Sequence, residues 1–222
     1  MSLVFFDMDG TLVNYEHGNY GSSWDAVMHA AHKEDEAKKL LEFYLPRPHL
    51  YDEWFDKECS LMKNVSVEYV RSKILPPVYS DGAREVVSEL KEAGLITGLI
   101  TAGINPPARD VVEELKMSFC ECNELLHENG YFTGKGKNNV PLWGKKKNMI
   151  KVCNSFGIRP DENGIYRGVV MIGDHDNELE AFEVSEYSIA YKPASEKVRK
   201  AADYVVNDLR EVPVKLRELD FF

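Results

Sequence analysis

The chain has 222 residues, 44% apolar and 29% charged, enough to bury one large core or a core carrying an inserted module. A formal net charge of −10 repels polyphosphate backbones and anionic membrane surfaces, so neither nucleic acid nor a membrane is a natural partner. No apolar run approaches the roughly 20 residues of a spanning helix, and Asp7 and Asp9 interrupt the apolar stretch near the N-terminus, which leaves no signal-peptide pattern. Cys59, Cys120, Cys122 and Cys153 form no C-x-x-C pair and read as reduced thiols of a cytoplasmic protein.

In chain order, residues 3–6 are a short apolar run rich in strand formers and predict a buried strand. From 18 to 77 the character changes. The stretch WDAVMHAAHKEDEAKKLLEFYL sets Trp24, Val27, Ala30 and Ala31 on one side of a helix, and 51–72 also reads as helical. Breaks fall at Pro46-Arg47-Pro48 and near Asn64, and Pro76-Pro77 closes the region. A helical block of this length directly after a strand predicts an inserted module.

Beyond it, strands and helices alternate. A helix capped by Ser80 or Asp81 runs to Glu92 and stops at Ala93-Gly94, followed by a buried strand over 95–101. Another helix follows Pro106-Pro107, with a short strand over 118–121 that puts Cys120 and Cys122 on one face. Residues 129–139 predict a hairpin on Asn-Gly and Thr-Gly turns. A helix over 146–156 carries Met149, Ile150, Cys153 and Phe156 on one side. A third buried strand spans 168–172, then a helix over 177–184, strands at 188–191 and 204–206, and a C-terminal helix. This order predicts an α/β fold with a parallel sheet covered on both faces.

Ligands of open α/β sheets collect at the carboxyl ends of the strands. The first strand ends in Asp7 and Asp9, the second in Thr101-Ala102-Gly103, the third in Gly173-Asp174. Lys145, Lys146 and Lys147 open the helix before that third strand. Parallel strands bring these segments to one edge, where acids, a hydroxyl and a cation surround a small anion.

The pattern resembles the haloacid dehalogenase superfamily over nearly the whole chain. Asp7-Met8-Asp9-Gly10-Thr11 fits its D-x-D-x-T motif, Thr101 its second motif, and Gly173-Asp174 with Glu178 its G-D-x-x-x-D motif, with Glu in place of the usual Asp. The lysine motif is a single residue. Lys146 is chosen over Lys145 and Lys147 because Met149 and Ile150 follow at +3 and +4. The resemblance implies a Rossmann-like core over 1–16 and 78–222 and a helical cap of the C1 type over 17–77.

It also implies a mechanism. Asp7 is the nucleophile on a phosphate monoester, Asp9 the acid and base, Thr101 a hydrogen-bond donor to a phosphoryl oxygen, and Lys146 the neutralising cation. Mg²⁺ is implied as cofactor, held by Asp7, the Asp9 backbone carbonyl and Asp174, with Glu178 in or near its surroundings. Within the superfamily, phosphoserine phosphatases resemble the chain most. Glu16 then stands where those enzymes contact the substrate's amino group, and Thr11, Ala102, Gly103 and Tyr51 are further candidates for the substrate pocket. Ungapped matching puts Glu58 where those enzymes carry an arginine for the serine carboxylate.

The implied activity is Mg²⁺-dependent hydrolysis of a small phosphorylated metabolite whose identity stays open. A phosphotransferase or mutase using the same aspartyl-phosphate is the near alternative, and a non-catalytic phospho-ligand-binding regulator the distant one.

Overall fold

The computed structural model describes residues 2–14 and 20–222. Leu3–Phe6 forms β1, and all four of its side chains are buried. Because successive strand residues point to opposite faces, Val4 and Phe6 enter one core cluster and Leu3 and Phe5 another. A strand apolar on both sides belongs in the middle of a covered sheet, and β1 lies there. On one side it pairs in parallel with β2 (Ile96–Ile104), on the other with β5 (Tyr166–Gly173), so that Phe6 sits opposite both Leu99 and Ile172.

Beyond β2 lies β3 (Phe119–Glu128), then β4 (Tyr131–Lys137). Beyond β5 lie β6 (Ser185–Tyr191) and β7 (Tyr204–Val206). The order is β4-β3-β2-β1-β5-β6-β7, with β4 antiparallel at one edge and every other pairing parallel. The chain leaves β1 first toward β2 and later returns to its other flank at β5. The carboxyl ends of β1, β2 and β5 therefore flank the point where strand order reverses, the usual place for a crevice.

Ten α-helices surround this sheet among the described residues. Four precede β2: α1 (Ser23–Ala30), α2 (Glu34–Tyr44), α3 (Tyr51–Leu61) and α4 (Val67–Ile74). Next come α5 (Ala83–Glu92) and α6 (Pro107–Glu114), then α7 (Lys145–Ser155), α8 (Leu179–Phe182), α9 (Glu196–Ala201) and α10 (Glu211–Glu218). Val87 and Leu90 of α5, Val111 of α6 and Leu216 of α10 cover the Val4/Phe6 face. Met149 and Cys153 of α7, Phe182 of α8 and Val198 of α9 cover the Leu3/Phe5 face. The expected two-sided parallel sheet is the fold.

The early helices bury a third cluster. Val27 and Met28 of α1, Phe55 and Cys59 of α3 and Val70 of α4 pack with Ile104 at the end of β2 and with Leu125 and Phe132 of the β3–β4 hairpin. This packing sets the helical segment over the carboxyl end of β2. His32 takes a left-handed conformation (φ 56°) between α1 and α2, where the sequence reads as one continuous helical stretch.

Other differences have local causes. β3 runs well past the expected 118–121, because its second half pairs with β4 instead of with β2. The hairpin turns at Asn129-Gly130, both with positive φ as a tight two-residue turn requires. Thr133-Gly134 lies within β4 and is no turn. The helix expected at 177–184 is a 3₁₀ turn, Asp176–Glu178, followed by α8. None of the helices of the described residues is long and apolar enough to cross a membrane.

Candidate active site

Asp7 follows directly on β1 and continues its ladder, its N–H donating to the Ile172 carbonyl at 2.9 Å. Its side chain is buried, at 4% exposure, where an unpaired carboxylate would be very costly. The partner is Lys145, the first residue of α7, whose Nζ donates to Asp7 Oδ1 at 2.6 Å and also to Glu178 Oε1. Lys145 is itself 1% exposed. Burial alone would lower its pKa, but the paired charges of Asp7 and Glu178 outweigh that and raise it, so the side chain stays an ammonium.

This corrects the choice of lysine. Lys146 points to the surface beside Glu183, with Nζ 3.6 Å from its carboxylate. One residue rotates a helical side chain by about 100°. The face of α7 that meets the sheet carries Met149 and Val152 four and seven residues beyond Lys145, so position 145 aims inward and 146 does not.

Asp174 follows the last residue of β5, and its Oδ1 accepts a hydrogen bond from Thr11 Oγ1 at 2.8 Å. Thr11, expected in the substrate pocket, is fully buried and its hydroxyl proton is taken by Asp174, so it orients a carboxylate instead. The turn carrying Asp9 passes very close to Asp174. Gly10 has φ +84°, and a Cβ there would lie 2.5 Å from Asp174 Oδ2, so the turn needs glycine twice over. Glu178 is fully buried. One oxygen meets Lys145 and the other accepts from the His175 N–H at 2.6 Å, so both are committed to protein donors and the residue is not poised as a metal ligand.

Thr101 stands on β2, one residue beyond the position opposite Asp7. Its Oγ1 accepts from the Gly103 N–H at 2.9 Å. Ala102 offers its carbonyl to two donors, Asn123 Nδ2 at 2.9 Å and the Trp24 indole at 3.3 Å. Gly103 lies where a Cβ would collide with Ser23 Oγ at 2.5 Å and Met8 Cε at 2.9 Å. The missing side chain lets α1 approach Asp9. The Ser23 N–H and Oγ–H both donate to Asp9 Oδ2, at 3.0 and 2.7 Å.

Tyr51 and Glu58 both lie on α3. The Tyr51 ring meets Trp54 and Trp143, with centroids 5.8 and 6.1 Å away, and its hydroxyl sits by Asn123 and the Leu142 backbone. Burial and then Glu58 raise its pKa. Glu58 is buried, and its carboxyl is pushed up to about 8 by burial, with Asp25 adding to the rise and Trp54 opposing it. Glu16 lies outside the described residues.

A profile of haloacid dehalogenase-like hydrolases matches residues 4–183. The chain belongs to the haloacid dehalogenase-like hydrolase family. Among its relatives, a phosphoserine phosphatase of Methanocaldococcus jannaschii is 26% identical over 95% of both chains. Another, of Archaeoglobus fulgidus, is 30% identical over 90% of this chain and 55% of its own length. A solved phospho-aspartyl intermediate analogue of phosphoserine phosphatase superposes with a TM-score of 0.77 at 25% identity, covering 96% of this chain and 98% of the other. The enzyme class expected from the sequence, a phosphatase of this family, agrees with these matches.

The carboxylate oxygens of Asp7 and Asp174 are donors of the kind that a divalent cation such as Mg²⁺ prefers. Asp7 and Glu178, both buried, and the half-buried Asp174 gather near the ammonium of Lys145. Burial first, and then the charges of Asp7 and Glu178, push the Asp174 carboxyl up to about 8. Burial likewise pushes Glu178 up to about 7 against the pull of Lys145. Among the described residues no three acidic, histidine or cysteine side chains form a complete cage. The expected set asks for only two side chains, Asp7 and Asp174, with oxygen from the Asp9 backbone.

Sequence reasoning overlooked Ser23 and Asn123, and placed Trp24 on an apolar helix face without its hydrogen bond to Ala102. For Ser23 a signal existed, since Ser22-Ser23 precedes an apolar helical pattern as capping residues do. Asn123 carried none beyond a polar residue inside a strand.

Proposed function

We propose that the protein is a Mg²⁺-dependent phosphomonoester hydrolase that works through an aspartyl-phosphate on Asp7 and acts on a small phosphorylated metabolite. The observation that carries this reading is the buried Lys145–Asp7 ion pair, 2.6 Å across, at the carboxyl end of the central strand. A carboxylate attacking a phosphate faces anion–anion repulsion, and a fixed ammonium beside it offsets that repulsion while orienting the attacking oxygen.

Asp7 Oδ attacks phosphorus as the ester P–O bond breaks, and Asp9 supplies the proton that the departing oxygen takes up. Asp9 then accepts a proton from water, whose oxygen attacks the same phosphorus, and the Asp7–phosphorus bond breaks to release inorganic phosphate. The Ser23 donors aim the Asp9 carboxylate for both steps. Thr101 hydrogen-bonds a phosphoryl oxygen, and Glu178 holds Lys145 in place. Mg²⁺ would be held by Asp7, the Asp9 carbonyl and Asp174, and supplies charge neutralisation on the phosphoryl oxygens.

Residues 17–77 act as a cap over the core of 1–16 and 78–222. The packing of α1, α3 and α4 on the end of β2 and on the β3–β4 hairpin supports this division. The test is phosphate release from a panel of small phosphomonoesters with and without Mg²⁺. Wild-type protein is expected to turn over and Asp7→Asn to be inactive. Turnover by Asp7→Asn near the wild-type rate removes the nucleophile and the reading with it.

A further inference from the structure

Glu58 has no part in the phosphoryl chemistry, yet it retains only 9% exposure on α3. Its turn-mates on the same helix face are Trp54, four residues earlier, and Tyr51, seven earlier, a spacing that stacks all three along one side. Trp54 stacks on Tyr44 of α2, with ring centroids 6.4 Å apart, and the Tyr51 end of that side reaches β3. Tyr51 lies by Asn123, and Asn123 donates to the Ala102 carbonyl next to Thr101. From the other side, α1 gives Ser23 to Asp9, Trp24 to Ala102 and, one residue on, Asp25 to the neighbourhood of Glu58.

Among the described residues, what acts on Glu58 is its burial, the Trp54 indole and Asp25, and neither residue is a cation. The Trp54 indole N–H is buried and makes no well-formed hydrogen bond, and the polar group it meets is the Glu58 carboxyl. Glu58 is an acid buried beside aromatic side chains, with a second acid, the exposed Asp25, in its electrostatic surroundings. Aromatic faces beside carboxylates favour ammonium groups, by charge and by cation–π attraction. An ammonium there favours ionised Glu58, whereas a substrate carboxylate in the same place would have to keep Glu58 protonated and would meet like charge from Asp25.

We propose that Glu58, with Tyr51 and Trp54 as walls and Asp25 at the rim, binds a positively charged group of the substrate, so that the enzyme prefers phosphomonoesters ending in an ammonium over those that also carry a carboxylate. This inference rests on the phosphatase reading above and names the substrate class of that same site. The ammonium anchors the alcohol portion while the phosphate meets Asp7, Thr101 and Lys145.

The test compares kcat/KM for 2-aminoethyl phosphate, phosphoserine, glycerol 3-phosphate and p-nitrophenyl phosphate in the Mg²⁺-loaded protein. The expected order places 2-aminoethyl phosphate about 10-fold or more above both glycerol 3-phosphate and phosphoserine, the scale of one charge-assisted hydrogen bond. Glu58→Gln is expected to bring the 2-aminoethyl to glycerol ratio toward one, chiefly through KM. Glu58→Arg is expected to reverse the preference toward phosphoserine. A ratio of rates within one variant cancels any general loss of folded protein. Phosphoserine preferred by the wild type, or ratios unmoved by Glu58→Gln, overturns the inference and leaves the phosphatase reading intact. No hydrolysis of any of the four, p-nitrophenyl phosphate included, overturns both.

Discussion

Ser23 gives both its backbone N–H and its hydroxyl to one oxygen of Asp9, at 3.0 and 2.7 Å. Ser23 is the first residue of α1, so its N–H is one of the helix-start donors that have no partner inside the helix. The carboxylate that carries the proton in the proposed mechanism is thus tied to the first helix of the inserted segment. An event that shifts α1 also shifts Asp9, which links the position of that segment to proton transfer.

Replacing Ser23 by Ala removes the shorter of these bonds and keeps the backbone one. A hydrogen bond to a charged group contributes about 1.5–3 kcal/mol, so kcat is expected to fall by about 10-fold or more at 1.4 kcal/mol per decade. Binding of inorganic phosphate as a product analogue should change far less, because Ser23 touches Asp9 and not the phosphate site. Steady-state kinetics with a product-inhibition constant check both. A loss confined to phosphate affinity would contradict the positioning role.

Lys145 and Lys146 provide a sharper comparison. Lys145→Met leaves Asp7 and Glu178 buried without their cation, a change that costs about 3–5 kcal/mol in stability when one partner of a buried pair is removed. It should also abolish turnover. Lys146→Met removes only a surface pair with Glu183, of the kind that contributes about 0–1 kcal/mol, and should leave the unfolding midpoint close to wild type. Urea unfolding of the two variants side by side checks the assignment. Equal losses at both positions would restore the ambiguity of the lysine run.

That ambiguity shows what the sequence could and could not reveal. Apolar runs ending in Asp7, Thr101 and Asp174 were readable because strand burial and polar termination are local properties. The meeting of those ends follows from parallel pairing. Which of three adjacent lysines turns inward depends on where α7 begins, and a one-residue shift in helix start changes the answer. Met149 and Ile150 at +3 and +4 fit Lys146, but Met149 and Val152 at +4 and +7 fit Lys145, and only the packed face separates them. Thr11 poses a different problem. Its partner Asp174 is 163 residues away, and no local pattern reports a contact at that range. Ser23 and Asn123 reach their partners over shorter separations, 14 residues to Asp9 and 21 to Ala102, which still lie beyond one helix or strand.

Metal binding should be visible in stability. Adding Mg²⁺ is expected to raise the thermal unfolding midpoint of the wild type, since a ligand that binds only the folded state stabilises it by mass action. Asp174→Asn should lose most of that increment while gaining stability in the metal-free state, because one carboxylate of a crowded acidic site becomes neutral. Differential scanning fluorimetry with chelator and with graded Mg²⁺ reads both effects. A Mg²⁺ response in Asp174→Asn equal to that of the wild type would exclude this residue as a ligand.

Glu58 lets the cost of its pocket be measured in the free enzyme. Its carboxyl is pushed from an ordinary 4.5 up to about 8, first by burial, so the folded protein binds that proton more tightly than the unfolded chain does. Stability then falls as the pH rises from about 4.5 to about 8, and levels off once the folded carboxyl is also ionised. Glu58→Gln has no proton to lose. The variant should match the wild type near pH 4 and exceed it near pH 9 by roughly 3 kcal/mol, from 1.36 kcal/mol per unit reduced for water entry. Chemical unfolding of both proteins at a series of pH values, in chelator, yields the difference directly, and the metal-site carboxylates cancel because both proteins carry them. A pH-independent difference would mean that Glu58 ionises freely in the folded protein. The penalty identifies the pocket as a place where folding stability is sacrificed, and a positively charged ligand seated on Glu58 should remove most of it at pH 9.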